Sequence, residues 1–183
     1  EGNIILYRIK NRRAYGAPQH AGMNRTGLDY DDGFTSMENN KYNYYASFST
    51  KDQPLDLLYR ESDIKANTFF YFTSDAVPAA DNYAVHINSA ITTFRLNKPN
   101  DWNTGGTTYY IQPNAVNDNT QGFAITQTPL NSTNDPYGFN AYYGSDGATV
   151  VEHYVEDANS AWEFELVPEN TAKEQLDIYI KGV

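Results

Sequence analysis

Short runs in which apolar and polar residues alternate recur along the chain, and clusters of Gly, Pro, Asn and Asp separate them. Alternation with a period of two is the pattern of a β-strand with one buried face, and the separating residues are typical of turns. No segment sustains the i, i+3, i+4, i+7 apolar spacing of an amphipathic helix over three turns. The pattern predicts an all-β protein with eleven strands, at residues 4–10, 42–49, 55–60, 68–73, 83–88, 92–96, 107–112, 122–127, 139–144, 149–155 and 161–167.

One short motif occurs twice, as ANTFFYF at residues 66–72 and as ANSAWEF at residues 158–164. The two copies begin 92 residues apart, which corresponds to two units of about 46 residues. A degenerate third copy is predicted between them at residues 107–112, where Tyr110 takes the place of Phe70. Alternate residues of a strand share a face, so the repeated aromatic residues are predicted to fill one interior.

A second element, aromatic-x-(Ile/Val), recurs in phase with this motif, at Tyr7/Ile9, Tyr83/Val85 and Phe123/Ile125. Each occurrence opens a segment that a copy of the motif closes. The chain therefore divides into three units of about 4–73, 82–113 and 121–167. The first unit carries an insertion, residues 12–41, that is rich in Gly, Asp and Asn, and residues 168–183 lie outside the pattern as a tail or the start of a further segment.

Threefold repetition of about four strands, with each unit ending in an aromatic-x-apolar strand, resembles the β-trefoil, and specifically the ricin-type lectin-like modules of secreted proteins. In that family each unit ends in a Gln-x-Trp signature. Here the aromatic residue of the signature is present and the Gln is replaced, as Thr68/Phe70, Thr108/Tyr110 and Ser160/Trp162. The resemblance implies a β-trefoil over residues 1–167; another β-barrel or a β-sandwich is the alternative fold.

Charge and composition narrow the classes of partner. The chain has a formal net charge of -10 and a pI near 4.6, which argues against nucleic acids and anionic lipid surfaces. There is no Cys, so disulfides and thiolate chemistry are excluded, and no run of 18 apolar residues suggests membrane insertion. The chain starts at Glu1 rather than Met, which fits a mature or excised fragment whose leader was removed. We expect an extracytoplasmic location, whether secreted, periplasmic or on a bacterial cell surface, and no cofactor.

The resemblance also implies candidate sugar sites. Ricin-type sites hold a sugar between an aromatic platform and polar side chains from neighbouring turns, which suits a pyranose with an apolar face and a rim of hydroxyls. The positions that match are Tyr154, His153, Asp157 and Asn159 in the third unit, Tyr59, Asp63 and Asn67 in the first, and Trp102 in the second. The family's ligand Asp has no counterpart, because Asn140 and two Tyr occupy that region.

The implied function is non-catalytic binding of a glycan or polysaccharide by an accessory module of an exported protein. In the alternative, the module has no sugar site and contacts another protein or another domain of a larger chain, with residues 12–41 as the contact loop. Tyr154 would then fill the core or surface, and Asn67 and Asn159 would serve the turns before their strands.

Other chemistry is weakly represented. Asp29, Asp31 and Asp32 could bind Ca²⁺, but Gly33 falls one place early for an EF-hand, and a solvated loop is the favoured interpretation. The three His residues occur without a hydrolase or metalloprotease motif, so we expect no catalysis. In the tail, Thr171 and Glu174 suggest a helix-capping box, and the alternation over residues 176–180 suggests a following strand.

Overall fold

The computed structural model describes residues 4–11, 44–48, 56–58, 64–74, 84–91, 108–113, 122–130, 137–144, 147–155 and 160–182. Within these residues there are ten strands and one α-helix: β1 (Tyr7–Asn11), β2 (Tyr44–Ser47), β3 (Asp56–Leu58), β4 (Phe70–Thr73), β5 (Ala84–Ser89), β6 (Thr108–Pro113), β7 (Phe123–Thr126), β8 (Tyr137–Gly144), β9 (Gly147–Tyr154), β10 (Trp162–Leu166) and α1 (Glu169–Lys181). The predicted all-β class is confirmed for everything described before the C-terminal helix. The strand predicted at 92–96 lies outside the described residues.

Six of the strands form a closed ring. β1 pairs with β4, β4 with β5, β5 with β6, β6 with β7, β7 with β10, and β10 again with β1, in antiparallel pairs. The other four strands form two antiparallel pairs, β2–β3 and β8–β9, which extend from β1 and β7 and meet where β3 pairs with β9. Ring closure gives each of the six strands a partner on both sides over part of its length, which protects the sheet edges from pairing with another chain.

One hydrophobic core lies inside this arrangement. Each ring strand directs alternate residues inward, as its period of two requires. The largest inward residues are aromatic or branched, and burying each contributes about 1.5 to 3 kcal/mol. Those of the ring are Ile9, Phe70, Ile87, Tyr109, Ile125 and Trp162, joined by Ala46, Phe139, Ala141 and Val150 from the other strands.

In the two clear copies of the motif Phe70 and Trp162 are fully buried, as predicted, and Phe72 and Phe164 are partly buried against the core. The prediction for the degenerate copy was wrong by one residue. Tyr109 is fully buried, with its ring 5.2 Å from that of Phe139, and Tyr110 is half-buried. Because successive residues of a strand face opposite sides, a shift of one residue exchanges the two faces. In β5 the fully buried apolar residue is Ile87, two residues after the predicted Val85 and on the same face.

The buried hydroxyls of the two clear motif copies form short hydrogen bonds to nearby backbone. The hydroxyl of Thr68, in a 3-10 turn at Ala66–Thr68, donates a hydrogen bond of 2.6 Å to the carbonyl oxygen of Lys65. At the matching place, the hydroxyl of Ser160 donates to the carbonyl oxygen of Tyr154 over 2.7 Å. Buried hydroxyls cost free energy unless they are hydrogen-bonded, so these short local bonds make Ser and Thr compatible with the interior.

The tail forms one continuous helix, so the predicted capping box and strand were wrong. α1 begins after Pro168, and the backbone N–H of Thr171 donates to Asn170 Oδ1 over 2.9 Å inside the helix. Ala172 and Leu176, four residues apart on one helical face, pack against a second apolar cluster that contains Phe69. Tertiary packing therefore decides the conformation of a segment whose alternation resembled a strand. No helix in the described part of the chain is long and apolar enough to cross a membrane.

Candidate functional site

Three aromatic side chains meet where β8 begins and β9 ends. The register places Tyr137 opposite Tyr154, and Gly138 opposite His153. The rings of Tyr137 and Tyr154 are perpendicular, with centroids 4.7 Å apart, and that of His153 lies 5.0 Å from Tyr154 and 6.5 Å from Tyr137. We refer to Tyr137, His153 and Tyr154 as the aromatic cluster. Edge-to-face packing of this kind stabilises ring pairs beyond the burial of their area.

Gly138 brings the neighbouring strand close to this cluster. It pairs with Thr126 of β7, and a Cβ atom at Gly138 would lie 3.0 Å from the carbonyl oxygen of Ile125 and 3.2 Å from Thr126 Cγ2. A larger residue would therefore push β7 and β8 apart. The register also places residues 127–130, which follow β7, at the end of the sheet where Tyr137 lies.

The three side chains of the aromatic cluster differ in their exposure to solvent. Tyr137 is 42% exposed, whereas Tyr154 and His153 are half-buried. The largest accessible aromatic surface of the cluster therefore belongs to Tyr137, a residue that the sequence analysis did not identify. Tyr137 follows a turn-like segment rich in Asn, Ser and Pro, and its position opposite Tyr154 depends on a strand register that the sequence does not show.

The structure also describes the surroundings of Asn67, a predicted site residue, and of Asn140, which lies in the region of the family's ligand Asp. Asn67 lies in the turn before β4, where its carbonyl oxygen accepts a 2.8 Å hydrogen bond from the Phe48 N–H. Asn140 is buried in β8 and its side-chain amide donates to the hydroxyl of Ser160 over 2.9 Å. Asn67 Oδ1 is buried and accepts no hydrogen bond within the described residues, so the side-chain bond that the turn interpretation expects of this oxygen is not seen there, and Asn140 belongs to the interior.

The remaining predicted site residues fall outside the described residues, so their roles stay predictions. They are Tyr59, Asp63, Trp102, Asp157 and Asn159, together with the three Asp residues of the calcium hypothesis, Asp29, Asp31 and Asp32. Of the eight sugar-site candidates, the structure thus brings His153 and Tyr154 together. Among the described residues, no group of three or more His, Asp and Glu side chains is placed to hold a metal ion.

A cluster of polar and charged side chains connects β10, β1 and β2, and it was not predicted from the sequence. The guanidinium of Arg8 lies 3.5 Å from the ring centroid of Tyr45, and the Tyr45 hydroxyl donates to the carboxylate of Glu165 over 2.8 Å. Lys10 Nζ lies 3.2 Å from Glu163 Oε1 and 3.7 Å from Glu165 Oε2. Arg8 and Tyr45 are almost completely buried, so this cluster connects three strands and leaves little surface for a ligand.

A groove of about 660 Å³ runs along α1. Its walls are mainly apolar, and part of them is open to solvent: Ile4, Ile5 and Leu166 are 67%, 57% and 64% exposed. On the helix side it is lined by Lys173, Leu176 and Asp177. The groove combines an apolar surface with charges of both signs at its border.

Comparison of this chain with known protein families, with curated proteins and with solved structures gives no significant match.

Proposed function

We propose that the protein is a β-trefoil module that binds a neutral glycan or polysaccharide without catalysis, through the aromatic cluster of Tyr137, His153 and Tyr154. In this proposal it is an accessory module of an exported, extracytoplasmic protein. The observation that carries the binding proposal is the exposed ring of Tyr137, which packs perpendicular to the ring of Tyr154. A fixed aromatic surface needs little ordering when a ligand binds.

The pattern of strand pairing supports the trefoil part of the proposal. The first and last strands of the three sequence units are β1/β4, β5/β6 and β7/β10, and these are the six strands of the closed ring. The middle strands of the first and third units, β2/β3 and β8/β9, form the two additional pairs. In a trefoil, a crystal structure would show three units related by a pseudo-threefold axis, whereas two facing sheets would favour the sandwich alternative.

The chemistry of the cluster supports a neutral sugar as the ligand. A pyranose ring has an apolar face that can cover an aromatic ring, while its hydroxyls need donors and acceptors at the border. The imidazole of His153 can supply either, and the predicted Asp157 and Asn159 follow Tyr154 closely in the chain. A formal net charge of -10 disfavours an anionic sugar because of long-range repulsion.

The competing proposal is a trefoil that binds another protein and has no sugar site. Two observations favour it. Tyr154 and His153 are half-buried and pack against Tyr137, as residues with a structural role would. The exposed apolar groove along α1, in contrast, offers a surface of a kind that protein interfaces use.

Binding to an array of immobilised neutral glycans tests the sugar proposal, with Tyr137→Ala as the main variant. Loss of the platform should weaken the interaction about tenfold or more. Tyr179→Ala is the matched control, because Tyr179 is 40% exposed but lies on α1. Retention on at least one glycan, lost in Tyr137→Ala and kept in Tyr179→Ala, supports the proposal.

Two results would contradict it: the folded protein binds no glycan, or the two tyrosine variants bind equally to the wild type. Tyr154→Ala distinguishes support from contact. If packing against Tyr154 fixes the orientation of the Tyr137 ring, Tyr154→Ala should weaken binding less than Tyr137→Ala. The exposed ring of Tyr137 remains in that variant but is no longer held in one orientation.

A further inference from the structure

The exposed side of α1 carries a stripe of alternating charge. Glu169, Lys173, Asp177 and Lys181 follow one another at intervals of four residues, so they lie along one side of the helix. Each is exposed, and within the described part of the chain none of them takes part in an ion pair, since the ion pairs there join Arg8 or Lys10 to Glu163 or Glu165. Because all four side chains are exposed, a partner chain can contact them.

The stripe is complementary to itself in one orientation. When a second copy of α1 lies antiparallel with Gln175 at the centre, Glu169 faces Lys181 of the other copy and Lys173 faces its Asp177. Symmetry doubles these contacts, so all four charges of each helix meet the opposite sign. A parallel arrangement in the same register would instead place like charges side by side, which is unfavourable.

Apolar residues flank the same stripe. Ile178 and Ile180 are 56% and 68% exposed near the end of α1, while the groove near its beginning exposes Ile5 and Leu166. An antiparallel arrangement brings the end of one helix to the beginning of the other. Ile180 lies four residues after Leu176, on the side of α1 that lines the groove, whereas Ile178 points to another side. Ile180 of each copy thereby approaches the groove of its partner, and the contact is reciprocal, as an interface with twofold symmetry requires.

Residues 169–181 contain three acidic and two basic residues, a net charge of -1, so two copies of this helix repel each other only weakly. We propose that two copies of this chain associate through antiparallel packing of α1, with Ile180 of each copy at the groove of the other.

The association should be weak and depend on concentration. α1 has 13 residues and is therefore about 20 Å long, so the contact is at the small end of specific interfaces. Sedimentation velocity over a wide range of protein concentrations is expected to show a reversible equilibrium between monomer and dimer. Ile180→Ser should shift it towards the monomer by about tenfold, since the exposed side chain contributes apolar contact without supporting the fold.

Charge reversal gives a sharper test. Lys173→Glu places acid against Asp177 of the partner, and Asp177→Lys places base against Lys173, so each variant alone should dimerise about tenfold more weakly. In an equimolar mixture, Glu at position 173 of one chain faces Lys at 177 of the other, while the native Asp177 and Lys173 remain paired. The mixture is therefore expected to form heterodimers with about the affinity of the wild type.

Lys65→Glu is the matched control, because Lys65 is exposed, lies outside α1 and changes the net charge equally. It should leave association unchanged. Circular dichroism confirms that each variant retains its helix. The proposal is overturned if the wild type stays monomeric at the highest concentration, if the two charge variants dimerise as the wild type does, or if their mixture forms no heterodimer.

Discussion

The two clear copies of the motif perform the same task in the core and different tasks around it. Phe70 and Trp162 occupy equivalent places, each opposite the first residue of the neighbouring ring strand, Tyr7 or Phe123. Both are fully buried. The residue before each of them differs: Phe69 in the first copy is large, and Ala161 in the third is small.

This difference in size extends to the facing strand. Leu6 precedes Tyr7, and Leu6 and Phe69 both belong to the apolar cluster on which α1 packs. Gly122 precedes Phe123, and a Cβ atom there would lie 3.3 Å from Ala161 Cβ. One copy thus provides a platform for the helix, and the other packs backbone against backbone. Repeated positions maintain the common core, whereas the positions between them distinguish the units.

Truncation of the shared aromatic residue should have the largest effect. Phe70→Ala and Trp162→Ala each remove a fully buried ring, and we expect each to lower the free energy of unfolding by about 3 to 5 kcal/mol. Trp162 also donates a 2.8 Å hydrogen bond from Nε1 to the carbonyl oxygen of Phe139. Denaturant unfolding should therefore show the greater loss for Trp162→Ala; a loss below about 1 kcal/mol in one variant and not in the other would contradict the equivalence of the two positions.

Phe69→Ala tests the specialised role of the first copy. It removes the largest fully buried side chain from the cluster beneath α1, at a cost of about 3 kcal/mol. Hydrogen exchange should show that the amides of α1 lose protection more than those of β8 and β9, because the helix loses its platform. A uniform loss of protection over the chain would argue that Phe69 supports the whole core rather than the helix.

Gly122→Ala tests the close packing in the third copy. The new Cβ atom would lie 2.9 Å from the carbonyl oxygen of Trp162, a backbone atom that cannot move away cheaply. We expect a loss of about 1 to 3 kcal/mol in thermal or denaturant unfolding. Gly182→Ala is the control, because its nearest neighbour would lie at 3.4 Å, near the end of α1. Equal stability of the two variants would show that the strands separate without cost.

The smallest contrast concerns the buried hydroxyls. Ser160→Ala removes a donor to Tyr154 and an acceptor for the amide of Asn140, and should cost about 2 kcal/mol. Thr68→Val removes one bond, to the carbonyl oxygen of Lys65, and should cost about 1 kcal/mol. Chemical denaturation of both variants checks the order. A greater loss for Thr68→Val would mean that the local bond in the 3-10 turn matters more than the buried network.

Much of the fold could be predicted from local patterns. The alternation of apolar residues located the ten described strands, since a half-buried strand needs a period of two. The duplicated motif identified Phe70 and Trp162 as core residues. Tyr109 was missed because three successive residues of its strand, Tyr109, Tyr110 and Ile111, are large and apolar or aromatic, so that either face could have been the inner one.

The candidate site was less predictable, because it depends on the pairing of distant strands. Tyr154 and His153 were identified by resemblance, but Tyr137 joins them through a register between β8 and β9. The polar cluster of Arg8, Tyr45 and Glu165 likewise joins three strands, and two of these residues are 120 positions apart in the chain. No pattern within one strand reveals such a partner.

The sequence by itself determined the positions of the described strands and the buried aromatic residues Phe70 and Trp162 of the repeated motif. These features depend on alternation and repetition, which are properties of neighbouring residues. The tertiary structure decided that residues 176–180 are helical, that Tyr109 faces inward and that Tyr137 is the exposed member of the aromatic cluster. Those outcomes depend on which distant surfaces meet, because burial against a partner outweighs a local preference of a few tenths of a kcal/mol per residue.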